Sequence, residues 1–107
     1  MGASFRDLVV WQRAIQLTTA IYKLTSSFPS TECFGLTNQL RRAAVSVASN
    51  IPEGHGRVTR GEYIQFLGHA RGSNCEVETQ LVIVRALGFG AADVSRMLNS
   101  LIKSLRS

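Results

Sequence analysis

A chain of 107 residues is long enough for one domain with a modest core. Hydrophobic residues make up 45% and charged residues only 18%, a low charge for a small helical protein and one that calls for more than one buried surface. The net charge of +5 permits nucleic-acid binding without requiring it, because the Lys and Arg residues are scattered and the longest basic run is Arg41-Arg42.

Two cysteines, Cys33 and Cys75, make no disulfide framework. Met1 leads directly into polar Ser4, Arg6 and Asp7, so no signal peptide is expected, and no run of about 18 apolar residues is present to span a membrane. These features predict a cytoplasmic protein in a reducing compartment.

Turn-forming residues at Phe28-Pro29-Ser30, Gly54-His55-Gly56 and Gly88-Phe89-Gly90 cut the chain into four segments with helical spacing and no strand alternation. The first helix is predicted from about Phe5 to Ser27. Leu8, Trp11, Ile15, Thr18 and Tyr22 form one stripe, and Val10, Ala14, Leu17, Ile21 and Leu24 form a second, roughly opposite. A helix apolar on two sides is buried on more than one side.

The second helix is predicted from about Thr31 to Glu53, started by Pro29 with Ser30 or Thr31. Pro52 should bend or loosen its last turn, and Gly54 and Gly56 should stop it. Thr59-Arg60-Gly61-Glu62 fits a capping box opening a third helix that continues to about Leu87. Its core stripe is Tyr63, Phe66, Leu67, Ala70, Val77, Leu81 and Val84, with Ile64, Cys75, Val82 and Ala86 as a second apolar strip. The fourth helix, about Ala91 to Leu105, is simply amphipathic. The expected fold is all-α: one domain over residues 1–107, an antiparallel up-down-up-down four-helix bundle. The surplus apolar strips on the first and third helices predict self-association.

Beside the apolar stripe of the second helix runs a polar ridge of Gln39, Arg42, Ser46, Asn50 and Glu53, and the third helix carries a matching one of Glu62, His69, Ser73, Glu76 and Gln80. If the ridges face each other across antiparallel helices, paired residue numbers have a constant sum. The expected value is 115, pairing Ser46 with His69, Arg42 with Ser73 and Gln39 with Glu76. Arg42 then lies within reach of Glu76, where a guanidinium–carboxylate pair suits a semi-buried site. Arg42, Ser46, Asn50, Glu53, Ser73 and Glu76 are read as a structural polar seam that sets helix pairing and register. The rival readings are a ligand or catalytic cleft and a plain solvated edge.

Little else points to chemistry. Ser46 and His69 lack a nucleophile elbow and a Gly-rich oxyanion loop. Cys33, His55, His69, Cys75 and Glu62 have no recognised ligand spacing, and the chain has no Glu-x-x-His for a di-iron centre. Gly54-His55-Gly56-Arg57 lacks the Gly-Lys-Ser/Thr ending of a phosphate loop. Neither catalysis nor a metal nor a cofactor is expected, and Cys33 and Cys75 are read as small apolar fillers.

Phe5-Arg6-Asp7-Leu8-Val9-Val10-Trp11-Gln12-Arg13-Ala14, Phe28-Pro29, Glu32-Cys33-Phe34-Gly35-Leu36, Gln39-Leu40-Arg41-Arg42-Ala43-Ala44-Val45-Ser46, Asn50-Ile51-Pro52-Glu53-Gly54 and Ala70-Arg71-Gly72-Ser73 with Glu76 occur in that order. Together they resemble the four-helix-bundle proteins encoded in intervening sequences of bacterial 23S rRNA genes, over nearly the whole chain. The resemblance implies a four-helix bundle, homopentamers as known among members, no established enzyme activity, and through the genomic setting a connection to nucleic acid. The expected function is a non-catalytic homo-oligomeric basic module that binds RNA, DNA or a ribonucleoprotein partner, with Arg57 and Arg60 as the chosen nucleic-acid contacts. A purely protein-interacting scaffold is the alternative.

Overall fold

The computed structural model describes residues 4–55, 59–89 and 92–105, leaving outside the description the side chains of residues 53–55, 92–95 and 97. Within these residues the chain is all-helical, with no strand: α1 (Val9–Thr25), α2 (Leu36–His55), α3 (Arg60–Leu87) and α4 (Ala92–Ser104).

Two helices start later than the sequence predicts. Phe5–Asp7 forms a separate 3₁₀ turn, capped by the Ser4 hydroxyl, which accepts from the Arg6 N–H. Extended backbone at Leu8 then separates this turn from α1. Ser30–Glu32 likewise forms a 3₁₀ turn after Pro29. Glu32 Oε1 accepts from the Leu36 N–H at 3.2 Å and caps α2 there. A Cβ on Gly35 would come within 3.0 Å of that carboxylate oxygen, so glycine leaves room for the cap.

The turns that bound α3 follow their residues. Thr59 Oγ1 accepts from the Glu62 N–H at 3.1 Å, satisfying one of the free donors of the first turn. Gly88 closes the helix in the left-handed region at φ 75°, which glycine adopts without a Cβ penalty. The Phe89 N–H then bonds the Val84 carbonyl at 3.1 Å, and the Phe89 ring meets Phe28 with centroids 5.4 Å apart. α2 runs through Pro52 to His55, two residues beyond the predicted Glu53.

α2 packs most extensively on α3; α1 packs on α2 and α4, while α3 and α4 touch only lightly. α1 and α3 therefore sit diagonally. Ala14, Leu17, Ile21 and Leu24 of α1, Leu40, Val47 and Ile51 of α2, Val77, Leu81 and Val84 of α3, and Leu98 and Ile102 of α4 fill the centre. One of the two stripes on α1 is thus core, whereas Ile15 and Tyr22 of the other are exposed. On α3, Tyr63, Phe66 and Leu67 are half-buried. The second α3 strip faces outward, Ile64 being 57% and Val82 61% exposed. Cys33 and Cys75 are both exposed, which corrects their reading as core fillers: Cys33 lies beyond the 3₁₀ turn and Cys75 on the outer strip.

Candidate functional site

Facing polar ridges on α2 and α3 meet where the helices pair most closely. Ser73 Oγ donates to Ser46 Oγ at 2.9 Å. Asn50 Nδ2 donates to the Ser46 carbonyl at 2.8 Å and to Ser46 Oγ at 3.1 Å. Two turns towards the other end, Gln80 Nε2 reaches Gln39 Oε1 at 3.5 Å. With Asn50 already donating to Ser46, one hydroxyl proton of the Ser46–Ser73 pair is left without an acceptor among the described residues.

Ser46 with Ser73 and Gln39 with Gln80 both sum to 119. The ridges do face each other, but one helical turn away from the expected register. Ser46 opposes Ser73 rather than His69, and Arg42 sits level with Val77. Arg42 and Glu76 line the same groove, yet both are exposed and no ion pair joins them. This corrects the expected Arg42–Glu76 pair: the shift leaves both charges on the solvent side, where hydration competes with pairing.

The groove has two connected parts. One, of 370 Å³, runs past Asn38, Gln39, Arg42 and Gln80. The other, of 510 Å³, runs past Asn50, Gln65, Gly68, His69 and Gly72. Ser46, Ser73 and Glu76 border both. A Cβ on Gly68 or Gly72 would meet nothing within 4 Å, so this stretch of α3 exposes bare backbone. Gln80 Oε1 is buried with no donor among the described residues. The groove thus offers a guanidinium, a carboxylate, an imidazole, hydroxyls and carboxamides to a polar ligand.

Of the predicted seam, Arg42, Ser46, Asn50, Ser73 and Glu76 come together. Glu53 lies on the last turn of α2, and its side chain is outside the described residues. Arg57 also lies outside the described residues. Arg60 is exposed on the first turn of α3, 13 residues from Ser73, or roughly 20 Å along the helix, and is no part of the groove.

Two polar residues with structural roles escaped the sequence reading. Arg41, noted there only as part of the longest basic run, donates from Nε to Thr25 Oγ1 at 2.8 Å, and its guanidinium stacks 4.6 Å from the Tyr22 ring centre. Asn74 is buried on the core stripe of α3. The spacing 70, 74, 77, 81, 84 was the available signal, since it places a carboxamide in an otherwise apolar row. Among the described residues, no group of three His, Cys, Asp or Glu could hold a metal ion. Nor is any described helix long and apolar enough to cross a membrane.

Residues 6–107 match the family described as 23S rRNA-intervening sequence protein. No curated protein matches the chain. Among solved structures, a protein of unknown function from the S23 ribosomal protein family of Bacteroides thetaiotaomicron VPI-5482 superposes with a TM-score of 0.83 at 19% identity, covering 92% of each chain. That likeness establishes the fold.

Proposed function

Because the chain belongs to the 23S rRNA-intervening sequence protein family, we propose that it acts as a non-catalytic, self-associating basic bundle that binds nucleic acid across its α2–α3 face. The observation that carries this reading is Arg42, a guanidinium without a partner among the described residues, in a groove of hydroxyls and carboxamides that also holds the Glu76 carboxylate, on a chain of net charge +5. A free guanidinium beside neutral donors suits a phosphate and its neighbouring sugar or base edges. Arg13, Arg71, Arg85, Arg96 and Lys103 are also exposed. They supply a diffuse field that multiplies if copies assemble.

Self-association is supported by the outward strips on α3 and α1; a five-fold ring rests on the family resemblance. Binding to RNA and duplex DNA on filters at about 50 and 200 mM salt tests the reading. Sequence-tolerant retention that falls steeply with salt supports it; no retention at the lower salt leaves a protein-interacting scaffold. The observation favouring that second reading is Phe34, 94% exposed near the start of α2.

A further inference from the structure

The α2–α3 groove holds one group that phosphate binding does not explain. Glu76 borders both of its parts, is exposed, and has no ion-pair partner among the described residues. A carboxylate repels phosphate, whereas phosphate affinity grows with each cation that neutralises one. A groove lined by one arginine and one glutamate therefore suits a ligand that brings N–H donors as well as a phosphate.

In the observed register Glu76 of α3 lies level with Ala43, next to Arg42, on the opposite wall. The two charges face each other across the 370 Å³ part of the groove without closing on each other. Gly68, Gly72 and Glu76 follow at four-residue spacing, which puts them in one row on the surface of α3. A Cβ on either glycine would meet nothing within 4 Å, so the row is a shelf of bare backbone ending at the carboxylate. A flat ring has room to lie along this shelf with its edge at Glu76.

A carboxylate only accepts, and its two oxygens take two donors side by side. Guanine alone among the RNA bases presents two adjacent donors on one edge, N1–H and N2–H. Adenine and cytosine place a ring acceptor beside their amino group, and uracil flanks its single N–H with two carbonyls. In a duplex the guanine donors are bonded to cytosine; in a single strand they are free to be read.

We propose that the groove selects a single strand carrying an unpaired guanine, with Glu76 accepting from guanine N1–H and N2–H while Arg42 on the opposite wall holds a phosphate of the same strand. This selectivity rests on nucleic-acid binding at the groove and adds a base to it.

Fluorescence anisotropy of labelled RNA tests this. Single-stranded uridine oligonucleotides with two central guanines, inosines or adenines are compared at about 50 mM salt. The guanine strand should bind about 5- to 150-fold more tightly than the adenine strand, the discrimination of a good bidentate pair. The inosine strand, which lacks the amino group, should fall between. Glu76→Gln should bring the guanine and adenine strands to equal affinity while both remain salt-dependent; Glu76 is exposed, so the fold is not at risk. Arg42→Gln should weaken both strands alike and keep their ratio, as a phosphate contact does. Equal binding of guanine and adenine strands by the native chain, a preference that survives in Glu76→Gln, or guanosine monophosphate binding as tightly as the strand would each overturn the assignment and leave nucleic-acid binding standing. No binding of any strand would overturn both.

Discussion

Arg41 and Arg42 are neighbours with opposite roles. Arg41 is half-buried, bonded to buried Thr25 and stacked on Tyr22. A hydrogen bond from a charged donor contributes about 1.5–3 kcal/mol. Arg41→Ala should therefore cost about 2 kcal/mol, read from the urea midpoint. Arg42 is exposed and unpaired among the described residues, so Arg42→Ala should change stability by ~0.5 kcal/mol or less. Equal losses in the two variants would show that Arg42 has a buried partner after all. The pair also marks where residue-level reading succeeds and stops. Helical spacing puts Arg42, Ser46, Asn50, Ser73 and Glu76 on facing ridges, as found. Spacing determines which face a residue occupies but carries no information about how far one helix slides along another. The one-turn error in register, and with it the expected ion pair, follows from that.

At the scale of elements, periodicity is strongest in the middle of a helix and weakest at its ends. The interior stripes of all four helices were legible, and so were Thr59 and Gly88, whose side-chain cap and left-handed φ are local chemistry. The starts of α1 and α2 were not, because Phe5–Asp7 and Ser30–Glu32 take up 3₁₀ hydrogen bonding, which neither spacing nor a proline start signal separates from the first turn of an α-helix. Gly88→Ala forces a Cβ into φ 75° and should cost about 1 kcal/mol, a fall in Tm of about 4–8 °C by calorimetry. The opposite sign is expected at Gly68, exposed within α3 with nothing near its missing Cβ. Gly68→Ala should stabilise by about 0.4–1 kcal/mol, since only the unfolded chain loses freedom. A destabilised Gly68→Ala protein would mean that another surface approaches this backbone closely.

For the whole molecule, four helices bury one shared core yet leave Ile64 and Val82 on α3, and Ile15 and Tyr22 on diagonal α1, facing outward. Apolar strips on opposite sides favour head-to-tail contacts, which close into a ring where the rotation between copies closes and extend as a filament where it does not. Light scattering at micromolar concentration should give a mass several times 11.7 kDa, five times if the family resemblance extends to assembly. Ile64→Glu with Val82→Glu should lower that mass to the monomer without loss of helicity; an unchanged mass would place the contact elsewhere. The most direct measurement of nucleic-acid binding at the α2–α3 groove is the salt dependence of RNA affinity for the native chain beside Arg42→Gln. The affinity of the native chain should fall linearly on a log–log plot. The slope of Arg42→Gln should be shallower by about 0.7 for each single-strand phosphate contact removed, with stability unchanged. Identical slopes and affinities for the two proteins, or no RNA binding by either at about 50 mM salt, would contradict a nucleic-acid site in this groove.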